Sequence, residues 1–362
     1  MNNLNVHKDL SSGKREMNQQ QEQLMSTAFD QLKDKQVLVT GATGFSGQAL
    51  CRKLAKAGAR IRAIARHSSN ISTLDDINIE WMRGDVFDES VLKSAVEGVN
   101  YIFHIAAAFN QEMESEEDYR KVHVYSTQIL ARLVTGKPDF VRFMHVSTVG
   151  VHGHIEIERA DEEYRFSPGD AYQRTKLEAE LWLVEYSKET GLPYSVVRPG
   201  PIYGPGDKRL LKLFKMAKMG FVLMLGKGQG MSHLIHIDDL TNIFILAATR
   251  EEAQGQAFIA ASNDAPISII DLGKMIGKHM GKGVKTIRLP LWPFYLAADV
   301  SSAVFPKLGL QPPIYRRRVD FYTKDRQFDN SKLRRLLGYE SNVGIEEGIE
   351  ETVRWYQAKG IL

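Results

Sequence analysis

Tyr172-Gln173-Arg174-Thr175-Lys176 sets a phenol and an ammonium four residues apart. On a helix, positions i and i+4 lie on one face, so the two groups stand side by side. A cation that close favours the phenolate, and the phenol can then exchange a proton with a carbinol or carbonyl oxygen. The reaction this suits is interconversion of an alcohol and a ketone, whose redox chemistry a cofactor carries. The spacing is common on helices, so its weight depends on what else the chain supplies.

A holder for such a cofactor lies upstream. Val37-Leu38-Val39 runs into Thr40-Gly41-Ala42-Thr43-Gly44-Phe45-Ser46-Gly47, after which Ala49, Leu50, Leu54 and Ala57 recur at helical spacing. The pattern predicts strand, tight turn and helix. Gly41 can take the turn's backbone angles, Gly44 lets phosphates approach the main chain, and Gly47 lets helix pack on strand. A pyrophosphate would rest on the free N–H groups at the helix start, helped by the helix dipole. The glycine spacing is G-x-x-G-x-x-G rather than the commoner G-x-G-x-x-G.

Thr-Gly-Ala-Thr-Gly-Phe-Ser-Gly resembles the cofactor loop of the extended short-chain dehydrogenases/reductases, the NAD-dependent epimerase/dehydratase superfamily. That family includes sugar-nucleotide epimerases, dehydratases and 3β-hydroxysteroid dehydrogenases. The resemblance runs over roughly residues 34–360 and is nearest the 3β-hydroxysteroid dehydrogenase-like branch. It implies that Tyr172 is the acid/base, Lys176 its tuner and a ribose ligand, and Thr148 the hydroxyl that anchors the substrate oxygen. The implied cofactor contacts are Gly41, Thr43, Gly44, Phe45, Ser46 and Gly47 in the loop. Asp85 and Val86, Ala106 and Ala107, Tyr172, Lys176 and Pro199 complete them. Asp85 would meet the adenine amino group; its other reading is a cap for the helix at residues 88–96.

Three departures narrow the reaction. Val149 and Gly150 stand where 4,6-dehydratases have Asp-Glu, and neither can transfer a proton. Ser232 replaces the arginine that grips a sugar-nucleotide diphosphate, and His123 replaces the usual asparagine. The expected activity is therefore hydride transfer between a nicotinamide and a hydrophobic secondary alcohol or ketone, sterol-like or acyl-derived. Met216, Met219, Phe221, Trp292 and Phe294 are expected to supply its apolar pocket. The alternative is a sugar-nucleotide epimerase with tightly bound NAD, for which Lys208, Arg209 and Arg316-Arg317-Arg318 offer cations. A cofactor-sensing regulator with a dead site conflicts with the intact Thr148, Tyr172 and Lys176.

Arg66 bears on which nicotinamide is used. It follows the second strand, where NAD-preferring sites usually place Asp or Glu for the ribose 2′-hydroxyl. A guanidinium suits a 2′-phosphate, which favours NADP(H) over NAD(H); alternatively Arg66 is a solvated loop charge.

The elements that must position these groups alternate strand and helix as far as Phe140–Thr148, which predicts an α/β fold with a doubly wound, Rossmann-type parallel sheet. Residues 31–206 are expected to form the cofactor domain. Residues 207–362 are expected to build a smaller substrate lobe with segments returning to the sheet. Residues 1–30 read as a disordered extension without the apolar core of a signal peptide. The apolar stretch Leu289–Leu310 reads as core, with a greasy pocket or a membrane surface as its other readings. His236 and Asp239 read as ties between lobe and sheet.

The 362 residues are 43% hydrophobic, with interspersed charges and a net charge of +3. Apart from the local cluster Arg316-Arg317-Arg318, the charge balance points to no nucleic-acid binder, and no apolar run reaches the ~18 residues of a membrane span. One cysteine, Cys51, excludes an internal disulfide and suggests a reducing, cytoplasmic location. No metal site is expected, since His152 and His154 have no converging carboxylates. The expected partners are a small-molecule substrate and a second copy of the chain in a homodimer.

Overall fold

The computed structural model describes residues 19–108, 115–226, 228, 230–308, 310, 312–314, 316, 319 and 325–362. Alternating burial builds its central sheet. In β1 (Gln36–Thr40), Val37 and Val39 enter one hydrophobic layer while Leu38 enters the layer on the opposite face. The glycine loop leads to α1 (Phe45–Lys56), β2 (Arg60–Ala65), β3 (Ile79–Arg83), α2 (Glu89–Ala95) and β4 (Tyr101–His104). Helical residues Glu116–Arg120 pass through a π-helical turn at Lys121–Tyr125 into α3 (Ser126–Val134). β5 (Arg142–Val146), α4 (Ala171–Thr190) and β6 (Tyr194–Pro199) follow.

Beyond residue 206 come α5 (Leu211–Lys218), β7 (Phe221–Leu225), α6 (Ile237–Thr249), β8 (Ala257–Ala260), α7 (Ile269–His279), β9 (Lys285–Leu289), α8 (Trp292–Val304), α9 (Ser331–Leu337) and α10 (Ile345–Ala358). The seven-stranded sheet has the order β8-β6-β5-β4-β1-β2-β3, and every pairing in it is parallel. Helices α1, α6 and α9 cover one face, and α2, α3 and α4 the other. This is the expected doubly wound, Rossmann-type architecture. α6 is buried along nearly its whole length, which explains its all-round apolar sequence. The lobe packs α5, α7 and α10 around Phe214, Leu272 and Tyr356, with β7 paired in parallel to β9.

The N-terminal expectation is corrected from residue 19 onward, where residues 19–32 are helical. Met25, Ala28 and Leu32 recur at three-to-four spacing and bury in the sheet layer that also holds Leu50, Leu54, Leu333 and Leu337. The Gln21 amide donates to the Gly338 carbonyl at 2.8 Å and accepts from Glu340 N at 3.3 Å. Polar composition had masked a helix whose apolar stripe is narrow. Residues 1–18 lie outside the described residues.

Candidate active site

Strand order reverses between β1 and β4, and a parallel sheet opens a crevice at the carboxyl ends of its strands there. Gly41 ends β1 with φ +75°, and a Cβ on it would lie 2.9 Å from the Ala106 backbone after β4. A Cβ on Gly47 would come within 2.1 Å of the Gly41 carbonyl. Gly44 caps α1 without a side-chain bond, so the first amides of the helix, at Phe45, Ser46 and Gly47, keep their outward donors. Thr43 and Ser46 are half-buried beside them. A diphosphate-bearing cofactor fits this cradle, which has no side chain to fill it and a helix terminus aimed at it.

Thr40 locks the two strand ends together. Its Oγ1 accepts from the Ile105 and Ala106 amides at 3.1 and 3.2 Å, so its proton goes to His104 Nδ1 at 2.8 Å. His104 Nε2–H then donates to Ser126 Oγ at 3.1 Å, and Ser126 donates to the Val122 carbonyl at 2.5 Å. Burial pushes the His104 pKa down to about 3, aided by the Lys176 charge, which keeps the ring neutral.

On α4, Tyr172, Lys176 and Glu180 follow at i, i+4 and i+8 and are all buried. Asp170 starts the helix, accepting from Gln173 N at 2.8 Å. Lys176 Nζ donates to the Val146 and Ala106 carbonyls at 2.9 and 3.3 Å, placing it between the ends of β4 and β5. Burial lowers its pKa to about 7, against the opposing pull of Glu180. Glu180 is itself held by Arg198 of β6, Nε to Oε1 at 3.0 Å, a pair with almost no exposure. Thr148, just beyond β5, accepts from Gly150 N at 3.1 Å and retains its own proton as a donor. A Cβ on Gly150 would lie 3.2 Å from Gln173, so the Thr148 turn packs on the start of α4. Val149 and Gly150 are buried structural residues of that turn.

Arg66 is exposed just past β2, and the side chain of Asp85 is exposed just past β3. The helix-capping reading of Asp85 is settled by Asp88, whose Oδ1 accepts from Ser90 N at 2.9 Å and Val91 N at 3.4 Å. Val86 is half-buried, Ala106 buried, Ala107 exposed and Pro199 buried at the end of β6. Arg209, which the sequence offered only as a cation for the epimerase alternative, sits against the glycine loop. Its guanidinium stacks 5.3 Å from the Phe45 ring centroid while bonding Asp207 and the Ile202 carbonyl. A Cβ on Gly206, which has φ +98°, would lie 3.3 Å from that ring, so the turn approaches Phe45 closely there.

The apolar side chains expected to line one pocket do not share one cluster. Met216 packs in the lobe core, Phe294 packs with Leu225 and Ala298, and Met219 and Trp292 are 66% and 69% exposed. Their helices each spend one face on their own neighbours. Leu289–Leu310 is likewise only partly core, because Trp292, Leu296, Val300 and Val304 leave an exposed row on α8. Arg316 is engaged with Asp299 at 2.6 Å; Arg317 and Arg318 lie outside the described residues. Ser232 is buried and paired in the backbone with Arg326, a cation the sequence did not point to. Asp239 does tie distant segments, accepting from Tyr339 Oη at 2.7 Å and Asn342 N at 2.8 Å. Among the described residues no group of three or more His, Cys, Asp or Glu is arranged to hold a metal.

The profile of the NAD dependent epimerase/dehydratase family matches residues 37–261, which span the sheet from β1 to just past β8. The chain belongs to this family. It is a nicotinamide-dependent enzyme of the extended short-chain dehydrogenase/reductase type. It is 27% identical to the sterol-4-alpha-carboxylate 3-dehydrogenase (decarboxylating) of Candida albicans, over 88% of this chain and 97% of the relative. It is 26% identical to the 2-alkyl-3-oxoalkanoate reductase of Shewanella oneidensis, over 90% and 87%. A solved epimerase from Methanothermobacter thermautotrophicus superposes with a TM-score of 0.75 at 24% identity, over 93% of this chain and 96% of that one. That likeness speaks to fold.

Proposed function

We propose that this family member reduces or oxidises a hydrophobic ketone/alcohol pair, with residues 31–206 holding NADP(H) and residues 207–362 chiefly holding substrate. The observation that supports it most is the meeting of Tyr172, Lys176 and the Thr148 turn at the crevice beside the glycine cradle. Bound nicotinamide supplies or accepts the hydride at its C4. Thr148 donates to the substrate oxygen and fixes it near Tyr172. Tyr172 gives that oxygen its proton in reduction and takes it back in oxidation. Lys176, whose charge Glu180 and two carbonyls support, steadies the phenolate and bonds the ribose. Arg66 and Asp85 hold the 2′-phosphate and the adenine amino group.

The relatives acting on a sterol and on an oxoalkanoate support a lipid-like substrate, as does Ser232. Arg326 beside Ser232 favours the rival, a sugar-nucleotide epimerase with retained NAD. Calorimetry with uridine and thymidine diphosphate, beside turnover of a hydrophobic ketone panel, separates them. Ketone turnover without nucleotide binding is expected; micromolar nucleotide binding without ketone turnover would promote the epimerase.

No described helix is long and apolar enough to cross a membrane. The exposed row Trp292, Leu296, Val300 and Val304, flanked by exposed Lys285, Arg288 and Lys307, suits peripheral contact with an anionic lipid surface. Sedimentation with phosphatidylserine vesicles checks this, with loss of binding in Trp292→Ser expected. A homodimer and a cytoplasmic location belong to the same proposal. Light scattering checks the first. The buried Cys51, its thiol pushed up to about 12 by burial, is compatible with the second.

A further inference from the structure

We infer that His123 is a positioning residue that braces the cofactor-lining loop after β4 against the catalytic helix α4. This rests on the reading of Tyr172 and Lys176 above. Position 123 departs from the family's usual asparagine, and the structure shows two jobs for the ring there. His123 Nε2 accepts from the Ala108 amide at 3.1 Å, on the loop that continues from Ala106 and Ala107. His123 Nδ1 lies 2.8 Å from Thr175 Oγ1, and Thr175 is the residue immediately before Lys176.

Both ends require the same tautomer. Ala108 N–H can only donate, so Nε2 is bare and Nδ1 carries the proton. Thr175 commits its own proton to the Ala171 carbonyl at 2.8 Å, so its oxygen must accept from Nδ1. The ring also meets Tyr172 edge-on, with centroids 5.3 Å apart and planes at 85°. One neutral imidazole therefore touches the loop, the phenol ring and the turn of helix between Tyr172 and Lys176. A single asparagine amide at this position reaches one side-chain distance, whereas the imidazole offers polar atoms at two.

The local helix is shaped for this. His123 is central in the π-helical turn Lys121–Tyr125, and such a widened turn frees main-chain carbonyls. The Val122 and His123 carbonyls are recovered by the hydroxyls of Ser126 at 2.5 Å and Thr127 at 2.7 Å. Two side-chain hydroxyls thus stabilise the bulge that presents His123, and Ser126 also receives His104.

The test uses the full-length protein and two partial replacements. An asparagine amide overlaps the imidazole Nδ1, and a glutamine amide reaches the Nε2 position. His123→Ala should weaken NADPH binding by roughly 5-fold, the worth of one lost hydrogen bond, and lower turnover of a probe ketone by roughly 10-fold. The probes are a 3-ketosteroid and a 2-alkyl-3-oxoalkanoate. His123→Gln should recover NADPH affinity and slow amide exchange at Ala108 but not turnover. His123→Asn should recover turnover but neither affinity nor Ala108 protection. Fluorescence titration and hydrogen exchange mass spectrometry read the first pair without any substrate. If His123→Ala leaves NADPH affinity and Ala108 exchange unchanged, or if Asn and Gln rescue identically, the brace is wrong. If instead Tyr172→Phe retains full turnover, the parent reading fails and the brace's affinity and exchange arms still stand or fall separately.

Discussion

At the residue scale, Tyr172 is the group whose loss should be most specific. Its ring contributes to packing with Tyr119 and Ala108, so a phenyl ring preserves the fold while removing the hydroxyl proposed as the acid. Tyr172→Phe is expected to lower turnover by at least ~10²-fold, the usual weight of general acid/base help, with NADPH affinity nearly unchanged. Steady-state kinetics beside a binding titration check this, and unaltered turnover would remove Tyr172 from the mechanism. Arg66 carries a separate expectation. Its exposure leaves it available to a 2′-phosphate, so Arg66→Asp should move preference toward NADH. A wild type already preferring NADH by about tenfold, worth about 1.4 kcal/mol, would defeat the NADP(H) assignment. Tyr172, Lys176 and the glycines were legible in the sequence because a helix repeat and a backbone cradle are local properties. The His104 network and the contact of Arg209 with the glycine loop were not, since the partners Thr40, Ser126 and Phe45 are distant in sequence and only the folded sheet brings them in range.

At the element scale, the cradle and α4 are held by contacts that tolerate little change. Gly47→Ala would drive a methyl toward the Gly41 carbonyl, within 2.1 Å, and must displace either the loop or the start of α1. Cofactor affinity is expected to collapse in this variant, whereas Ala49→Gly on the same helix should cost only about 1 kcal/mol of stability. The Arg198–Glu180 pair fixes α4 against β6. Arg198→Met leaves a buried carboxylate unpaired and should destabilise by about 3–5 kcal/mol in urea unfolding; adding Glu180→Gln should recover part of the loss. Strand and helix alternation was readable from periodicity alone, and so was the parallel sheet it implies. The helix at residues 19–32 was not, because polar residues outnumber its buried positions and its stripe gains meaning only against the finished sheet. The apolar α8 misled in the opposite direction: Trp292, Leu296, Val300 and Val304, four of its six large apolar side chains, face outward.

Across the whole molecule, buried histidines tie stability to pH. His104 has a folded pKa of about 3, below its ordinary value of 6.5. The stability it contributes is complete above 6.5 and is lost as pH falls toward 3, by about 1.4 kcal/mol per pH unit. His145, buried beside Lys176 and His104, and His236, lowered to about 4 by burial, act in the same direction. Urea unfolding at pH 7 and pH 5 should show His104→Gln losing about 2 kcal/mol less than wild type between the two, one histidine's share of the slope. An identical loss in both proteins would show that His104 does not remain neutral. The same buried network stands behind Lys176, so the chemistry and the acid limit of the fold share residues.

The central claim is net hydride transfer between nicotinamide and a hydrophobic carbonyl. Incubating the enzyme with NADPH deuterated at C4 and each ketone of the panel, then locating the label by mass spectrometry, tests it directly. The prediction is deuterium on the carbinol carbon of a product, with one cofactor oxidised per ketone reduced and transfer slowed by at least ~10²-fold in Tyr172→Phe. Interconversion of a nucleotide sugar with no net cofactor consumption, and no labelled alcohol from any ketone, would contradict it.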